Sequence, residues 1–114
     1  MNPAYDDGQL RITTTLDPPG LRLHGVVHSL NSVALQRELT PGAGRRGDLT
    51  IDATRLDHID VTGLRVLAST AHRRSSEGGR LVLAGLSPHL RQLLVLLGWD
   101  STPGLHLNEG GADT

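Results

Sequence analysis

The chain of 114 residues contains no cysteine and no phenylalanine, and aromatic residues make up only 2% of it. Without cysteine there can be no disulfide, no thiolate zinc site and no cysteine nucleophile. The formal charge of −1 offers no positive field to phosphate groups, and so few rings leave little on which single-stranded bases could stack. We therefore expect no nucleic-acid partner.

Long hydrophobic runs are missing as well. The longest, LLVLL at 93–97, is far shorter than the roughly 20 apolar residues that a membrane span requires. No basic segment followed by an apolar one opens the chain, so a secretory leader is not expected. The sequence thus predicts a cytoplasmic protein without membrane insertion. Its length is that of one domain with a single core.

Segments with strand character alternate with segments of helical periodicity along the chain. The predicted strands are 10–16, 21–27, 48–53, 80–85 and 104–107, and helices are expected to begin near 31, 62 and 87. This order, β-β-α-β-α-β-α-β, predicts an α/β fold with a mixed, mainly parallel sheet of four to five strands and helices packed against it. We place the domain at residues 10–107, with 1–9 and 108–114 as flexible termini.

Each predicted helix has a polar residue that can cap its start. Asn31 is the expected N-cap of the first helix, with Leu30 and Leu35 spaced to form a hydrophobic staple. Ser87, followed by proline, is the expected cap of the third. The second helix is predicted to begin near Thr62, whose hydroxyl can cap exposed backbone N–H groups.

Two glycine patterns have the spacing of functional loops but lack the residues that carry the chemistry. Gly42 and Gly47 are spaced as in a P-loop, yet Asp48 stands where that loop needs lysine. Ser87 lies in GLSPH, where a serine-hydrolase elbow needs a second glycine in place of His89. We expect no enzyme activity and no cofactor.

The six histidines raise the question of a metal site. His24 and His28 are four residues apart, but in an extended segment roughly 13 Å of chain separates them. Asp52, Asp57 and Asp60 are predicted at a strand end and in a loop, where acids commonly cap or turn the chain. Because no compact ligand set results, we expect no metal.

The third helix is apolar beyond the stripe that would face the core. The stripe residues are Leu90, Leu93, Leu94 and Leu97, whereas Val95 and Leu96 lie off it and Trp99 follows. One interpretation is a helix buried on both sides or a tightly packed C-terminus. The other is a surface on which a partner docks.

The residues after Thr62 are not those of a helix start selected for stability. Gly63 costs a helix about 1 kcal/mol relative to alanine, but it lets another chain approach closely. Arg65 stands where a capping box would have Glu or Gln. The combination indicates an interaction site at this helix start.

From 49 to 100 the chain has an apolar strand ending in Asp52, a loop to Asp60, the triplet Thr62-Gly63-Leu64, a helix, two glycines, a Leu/Val strand and a Leu-rich helix ending in glycine. The glycines are Gly78, Gly79 and Gly98. In this order and spacing the chain resembles a STAS domain, the fold of bacterial anti-sigma factor antagonists. By element order the resemblance extends over 10–107.

The resemblance implies a phosphorylation switch at Thr62, the hydroxyl residue before the motif glycine. An anti-sigma factor with serine/threonine kinase activity would phosphorylate Thr62 and thereby lose its hold on the antagonist, and a phosphatase would reverse this. In the unphosphorylated form the antagonist would bind the anti-sigma factor and free the sigma factor for transcription. The partner-binding residues implied around the switch are His28, His58, Asp60, Val61, Gly63 and Leu64.

The motif at 61 and the segment 25–28 depart from the family pattern. Val61 replaces a first serine, which makes Thr62 the sole acceptor in the motif. Residues 25–28 read Gly-Val-Val-His where many phosphorylated members have Gly-Glu-Leu-Asp. The loss of both acids favours an alternative, a non-switching STAS scaffold subunit of a lipid-transport ATPase or of a stress-sensing complex.

Overall fold

The computed structural model describes residues 3–16, 18–39 and 47–108. Within them the strands are β1 (Tyr5–Asp6), β2 (Leu10–Leu16), β3 (Pro19–Val27), β4 (Leu49–Ile59), β5 (Leu81–Ala84) and β6 (Leu105–Asn108). The α-helices are α1 (Ser32–Leu39), α2 (Val61–Ser76) and α3 (Pro88–Leu97), and a 3-10 turn follows at Trp99–Ser101.

The strands form one mixed sheet in the order β1-β2-β3-β4-β5-β6. The first three strands pair antiparallel, and the last four pair parallel. Each parallel connection passes through a helix, which returns the chain from the end of one strand to the start of the next. The starts of all three helices therefore lie at the edge where β3, β4 and β5 end, called here the C-terminal edge.

The core lies between one face of the sheet and the helices. Fully buried side chains from both layers include Leu10, Ile12, Leu23, Ile51, Leu83, Leu35, Leu64, Leu67, Leu90 and Leu94. On the opposite face the strands carry exposed polar side chains such as Arg11, Arg22 and His24. Apolar and polar residues alternate in β2 and β3, as expected for strands with one solvated face.

Strand β4 runs six residues further than the predicted segment, which ended at residue 53. Its pairing with β3 shifts register twice, and the first shift lies between Asp52 and Arg55. There the Asp52 carboxylate accepts hydrogen bonds from the backbone N–H and the hydroxyl of Thr54, at 3.0 and 2.6 Å. The acid that indicated a turn forms a local bulge instead, and the strand continues through it.

The predicted α/β fold with a mixed sheet is confirmed, but the predicted number of strands is wrong. The structure has six strands among its described residues, not four to five. The additional strand β1 lies inside the segment 1–9 that was expected to be flexible, and Tyr5 pairs with Ile12. Asn108, assigned to the flexible end, is the last residue of β6. Gly42 lies outside the described residues, so its P-loop spacing with Gly47 is not tested.

Candidate functional site

Asp60 forms the junction between β4 and α2 at the C-terminal edge. Its backbone N–H donates to the carbonyl of Val27, at 3.0 Å, and its carbonyl accepts from the N–H of Leu64, at 2.9 Å. Its carboxylate oxygen Oδ1 accepts a hydrogen bond from the N–H of Gly63, at 3.0 Å. Asp60 is therefore the N-cap of α2, and the prediction that Thr62 caps this helix is wrong.

Thr62 is the second residue of α2, and its side chain is exposed. The residues that the structure describes provide no hydrogen-bond partner for its hydroxyl. The N–H of Gly63 is bonded to Asp60, whereas the N–H groups of Val61 and Thr62 have no partner inside the helix. The hydroxyl is thus accessible to another protein and contributes no cap to its own helix.

Gly63 and Leu64 face the interior, although both were predicted to contact a partner. A Cβ atom on Gly63 would lie 2.6 Å from Cγ1 of Ile59 and 2.6 Å from Cγ1 of Val27, so only glycine lets α2 pack this closely on the sheet. Leu64 is fully buried in the core. Leu64 and Leu67 are three residues apart, an apolar spacing typical of the core-facing side of a helix.

The other predicted partner-binding residues lie near Thr62 at the C-terminal edge. His58 is exposed, and His28 and Asp60 are partly exposed. Val61 is 46% exposed, which is high for a large apolar side chain at a helix start. These four positions are compatible with the predicted role, which remains a prediction.

Two exposed apolar side chains at this edge were missed as site residues in the sequence. Leu30 is 86% exposed in the loop before α1, and Val33 is 61% exposed in the first turn of α1. Helices α1 and α2 pack against each other, so both side chains lie at the same end of the molecule as Val61 and Thr62. The predicted staple between Leu30 and Leu35 is wrong, because Leu35 is buried and Leu30 is not.

Asp7 connects the N-terminal turn to the loop that carries Leu30. Its carboxylate accepts hydrogen bonds from the N–H groups of Leu10 and Gln9, at 2.7 and 2.8 Å, and from Nδ2 of Asn31, at 3.3 Å. The backbone bonds from Leu10 and Gln9 lower the pKa of Asp7 to about 2. Asp7 therefore stays ionised at neutral pH.

Helix α3 exposes apolar side chains, so the interpretation that it is buried on both sides is wrong. Val95 and Leu96 point to solvent, whereas Leu90 and Leu94 are buried. An open groove of about 760 Å³ runs beside the helix; its lining comprises Thr54, Gly85, Leu86, Ser87, Pro88, Arg91, Gln92 and Val95. Ser87 caps α3 as predicted, accepting from the N–H of Leu90 at 3.3 Å.

The part of the chain that the structure describes contains no group of three or more His, Asp or Glu side chains placed to hold a metal ion. Within the same residues, no helix is both long and apolar enough to cross a membrane.

The chain is similar in sequence to proteins of one known family. Residues 10–107 match a family model described as "Mlab, STAS domain". A protein of Bordetella bronchiseptica, the candidate anti-sigma factor antagonist BtrV, is 36% identical over 78 residues, which cover 68% of this chain and 67% of that relative.

Two solved structures share the fold. An anti-sigma factor antagonist from Mycobacterium paratuberculosis superposes with a TM-score of 0.64 at 23% identity, covering 75% of this chain and 74% of the other. The antagonist SpoIIAA in its unphosphorylated form superposes with a TM-score of 0.65 at 15% identity, covering 84% of this chain and 86% of the other.

Proposed function

This chain belongs to the STAS domain family, and from that premise we propose that it is an anti-sigma factor antagonist of the cytoplasm, switched off by phosphorylation of Thr62. Its unphosphorylated form binds an anti-sigma factor with kinase activity and so regulates transcription by the corresponding sigma factor. A phosphatase restores the binding form. The protein itself catalyses no reaction in this proposal.

One observation carries the proposal: Thr62 presents a free hydroxyl at an exposed helix start whose cap is provided by another residue. Because Asp60 makes the capping hydrogen bond, a group added to Thr62 removes no contact that the fold needs. The start of a helix also tolerates an anion, since its N–H groups and dipole favour negative charge. The position can therefore be modified while the domain stays folded.

The energetic effect of a phosphate is expected at the interface. Phosphorylation adds about −1.5 to −2 charges where a neutral hydroxyl was. Asp60 already places a carboxylate beside this position, so the local charge becomes strongly negative. Burying that group unpaired against a partner costs about 2–5 kcal/mol of binding, or roughly 30- to 4,000-fold in affinity. Such a change is large enough for exchange between partners.

A second function is favoured by two residues at the end of β3 and just after it. Val26 and His28 stand where many phosphorylated relatives of this fold carry acids, as the sequence resemblance indicated. A kinase that needs those acids would not bind. The chain would then be a constitutive STAS scaffold subunit of a lipid-transport ATPase or of a stress-sensing complex, with Thr62 unmodified.

The experiment that tests the proposal incubates the protein with ATP and each purified anti-sigma factor of the histidine-kinase-like ATPase class from the same organism. Intact mass and binding affinity are measured for wild type, Thr62→Ala and Thr62→Glu. We expect one phosphate on wild type only, weak binding of Thr62→Glu and full binding of Thr62→Ala.

Thr14→Glu is the matched control, because Thr14 is an exposed threonine on β2, outside the C-terminal edge. It should bind as wild type does. Absence of phosphate on wild type, together with equal binding of Thr62→Glu, contradicts the switch and favours the scaffold.

A further inference from the structure

Leu30 is highly exposed, although hydrogen bonds made by the residues before and after it hold its loop. The carbonyl of His28 accepts from the N–H groups of Asn31 and Ser32, at 3.1 and 2.8 Å. The N–H of Leu30 donates to Nδ1 of His28, at 3.2 Å, and Nε2 of the same ring is bonded to Oε1 of Gln9. The backbone of this turn is therefore fixed, and it directs the Leu30 side chain to solvent.

The buried side chain of Asn31 connects this loop to the rest of the molecule. Its Oδ1 accepts from the N–H of His28, at 2.8 Å, and its Nδ2 donates to the carbonyl of Val26, at 3.0 Å. The same Nδ2 donates to the carboxylate of Asp7, at 3.3 Å. The end of β3 with the following residue His28, and the turn that carries Asp7, therefore fix the conformation in which Leu30 points to solvent.

The position of Leu30 relative to Thr62 follows from the sheet. Leu30 follows the end of β3, Thr62 follows the end of β4, and the N–H of Asp60 bonds to the carbonyl of Val27 between them. Val33 and Val61 add exposed apolar surface at the same edge. A protein that covers Thr62 is thus in reach of this apolar group, called here the Leu30 patch (Leu30, Val33 and Val61).

We propose that Leu30 is the apolar anchor of the interface, inserted into an apolar pocket of the anti-sigma factor kinase that covers Thr62. This inference rests on the proposed function and names the chemistry of its partner. Apolar anchors held in a preformed conformation bind well because little conformational freedom is lost on association. The fixed loop provides that condition for Leu30.

The charges beside the patch specify the rim of the partner's pocket. The Asp7 carboxylate bonds to Asn31 of this loop, and the Asp60 carboxylate lies at the start of α2, bonded to the N–H of Gly63. A pocket bordered by Arg or Lys side chains complements this arrangement, and the association rate should then fall as salt concentration rises. The same two carboxylates oppose the approach of an acidic surface.

The test is a titration of the purified anti-sigma factor kinase with wild type, Leu30→Ala and Leu16→Ala. Leu16 is the matched control: it is 81% exposed, and its pairing with Pro19 at the start of β3 places it at the opposite edge of the sheet. Burial of a leucine side chain corresponds to a loss of about 10- to 100-fold in affinity for Leu30→Ala. Leu16→Ala should bind as wild type does.

A second variant, Asn31→Ala, tests whether the fixed loop matters while Leu30 is retained. We expect faster hydrogen exchange of the loop amides and weaker binding, with the far-UV circular dichroism spectrum of wild type. Equal affinities of Leu30→Ala and Leu16→Ala overturn the anchor, while the proposed function stands if Thr62→Glu still binds weakly. If wild type binds none of the kinases, the anchor and the proposed function both fall.

Discussion

At the scale of single residues, Asp60 and Thr62 have separate roles although they are two positions apart. Asp60 caps α2, whereas the hydroxyl of Thr62 has no hydrogen-bond partner among the residues that the structure describes. We expect Asp60→Ala to lower the free energy of unfolding by about 1 kcal/mol, and Thr62→Ala to change it by less than about 0.5 kcal/mol. Urea unfolding of the two variants measures both values. A larger loss for Thr62→Ala would mean that its hydroxyl supports the helix after all.

Gly63 provides a second residue-scale prediction, in which packing reverses the usual order of helix propensity. Alanine in place of a helical glycine ordinarily stabilises by about 1 kcal/mol. Here the new Cβ would lie within 3 Å of side-chain atoms of Ile59 and Val27, so these fully buried side chains would have to shift. Overpacking costs about 1–3 kcal/mol, so we expect Gly63→Ala to destabilise the protein on balance.

Ser69→Ala in the same helix is the control for Gly63→Ala, because Ser69 is exposed. Urea unfolding should show no loss for this variant. A stabilised Gly63→Ala variant would show that the core can relax around the added methyl group.

At the scale of elements, the turn after β1 links stability to acid pH. The N–H groups of Leu10 and Gln9 bind the ionised Asp7 carboxylate and lower its pKa from 3.8 to about 2. Its contribution to stability is therefore complete above about pH 4 and is lost as the pH falls through about 2. We expect the melting temperature of wild type to fall more steeply between these pH values than that of Asp7→Asn.

The quantity measured is the difference between the melting temperatures of wild type and Asp7→Asn at each pH. Other carboxyl groups titrate in both proteins and cancel in the difference. If the two melting temperatures fall by the same amount from pH 4 to pH 2, the turn does not depend on the ionised carboxylate.

The same turn shows why part of the fold could not be predicted from local pattern. Residues 1–9 have no periodicity, and their strand exists because Tyr5–Asp6 finds β2 as a partner. Asp7 meets Asn31 across 24 positions of sequence. Leu30 likewise has staple spacing, but these distant bonds direct it away from Leu35. Contacts of this range are set by strand pairing, which the order of residues within a segment does not reveal.

At the scale of the whole molecule, the proposed switch changes an interface and leaves the fold intact. The dipole of α2 favours a negative charge at position 62 by about 0.3–1 kcal/mol, and the nearby Asp60 carboxylate opposes it. We expect Thr62→Glu to keep the free energy of unfolding within about 1 kcal/mol of wild type. Urea unfolding and far-UV circular dichroism measure this. An unfolded Thr62→Glu variant would mean that loss of binding reports loss of structure.

The sequence by itself determined the element types, most of the order and the place of Thr62 near a helix start. Periodicity and the cap at Ser87 are local signals, and the helix that Ser87 caps forms as predicted. Only the tertiary structure decided which side chains near Thr62 face solvent. It placed Gly63 inside, because α2 packs closely on β3 and β4, and it left Leu30 outside, because bonds from Asp7, Val26 and His28 hold its loop.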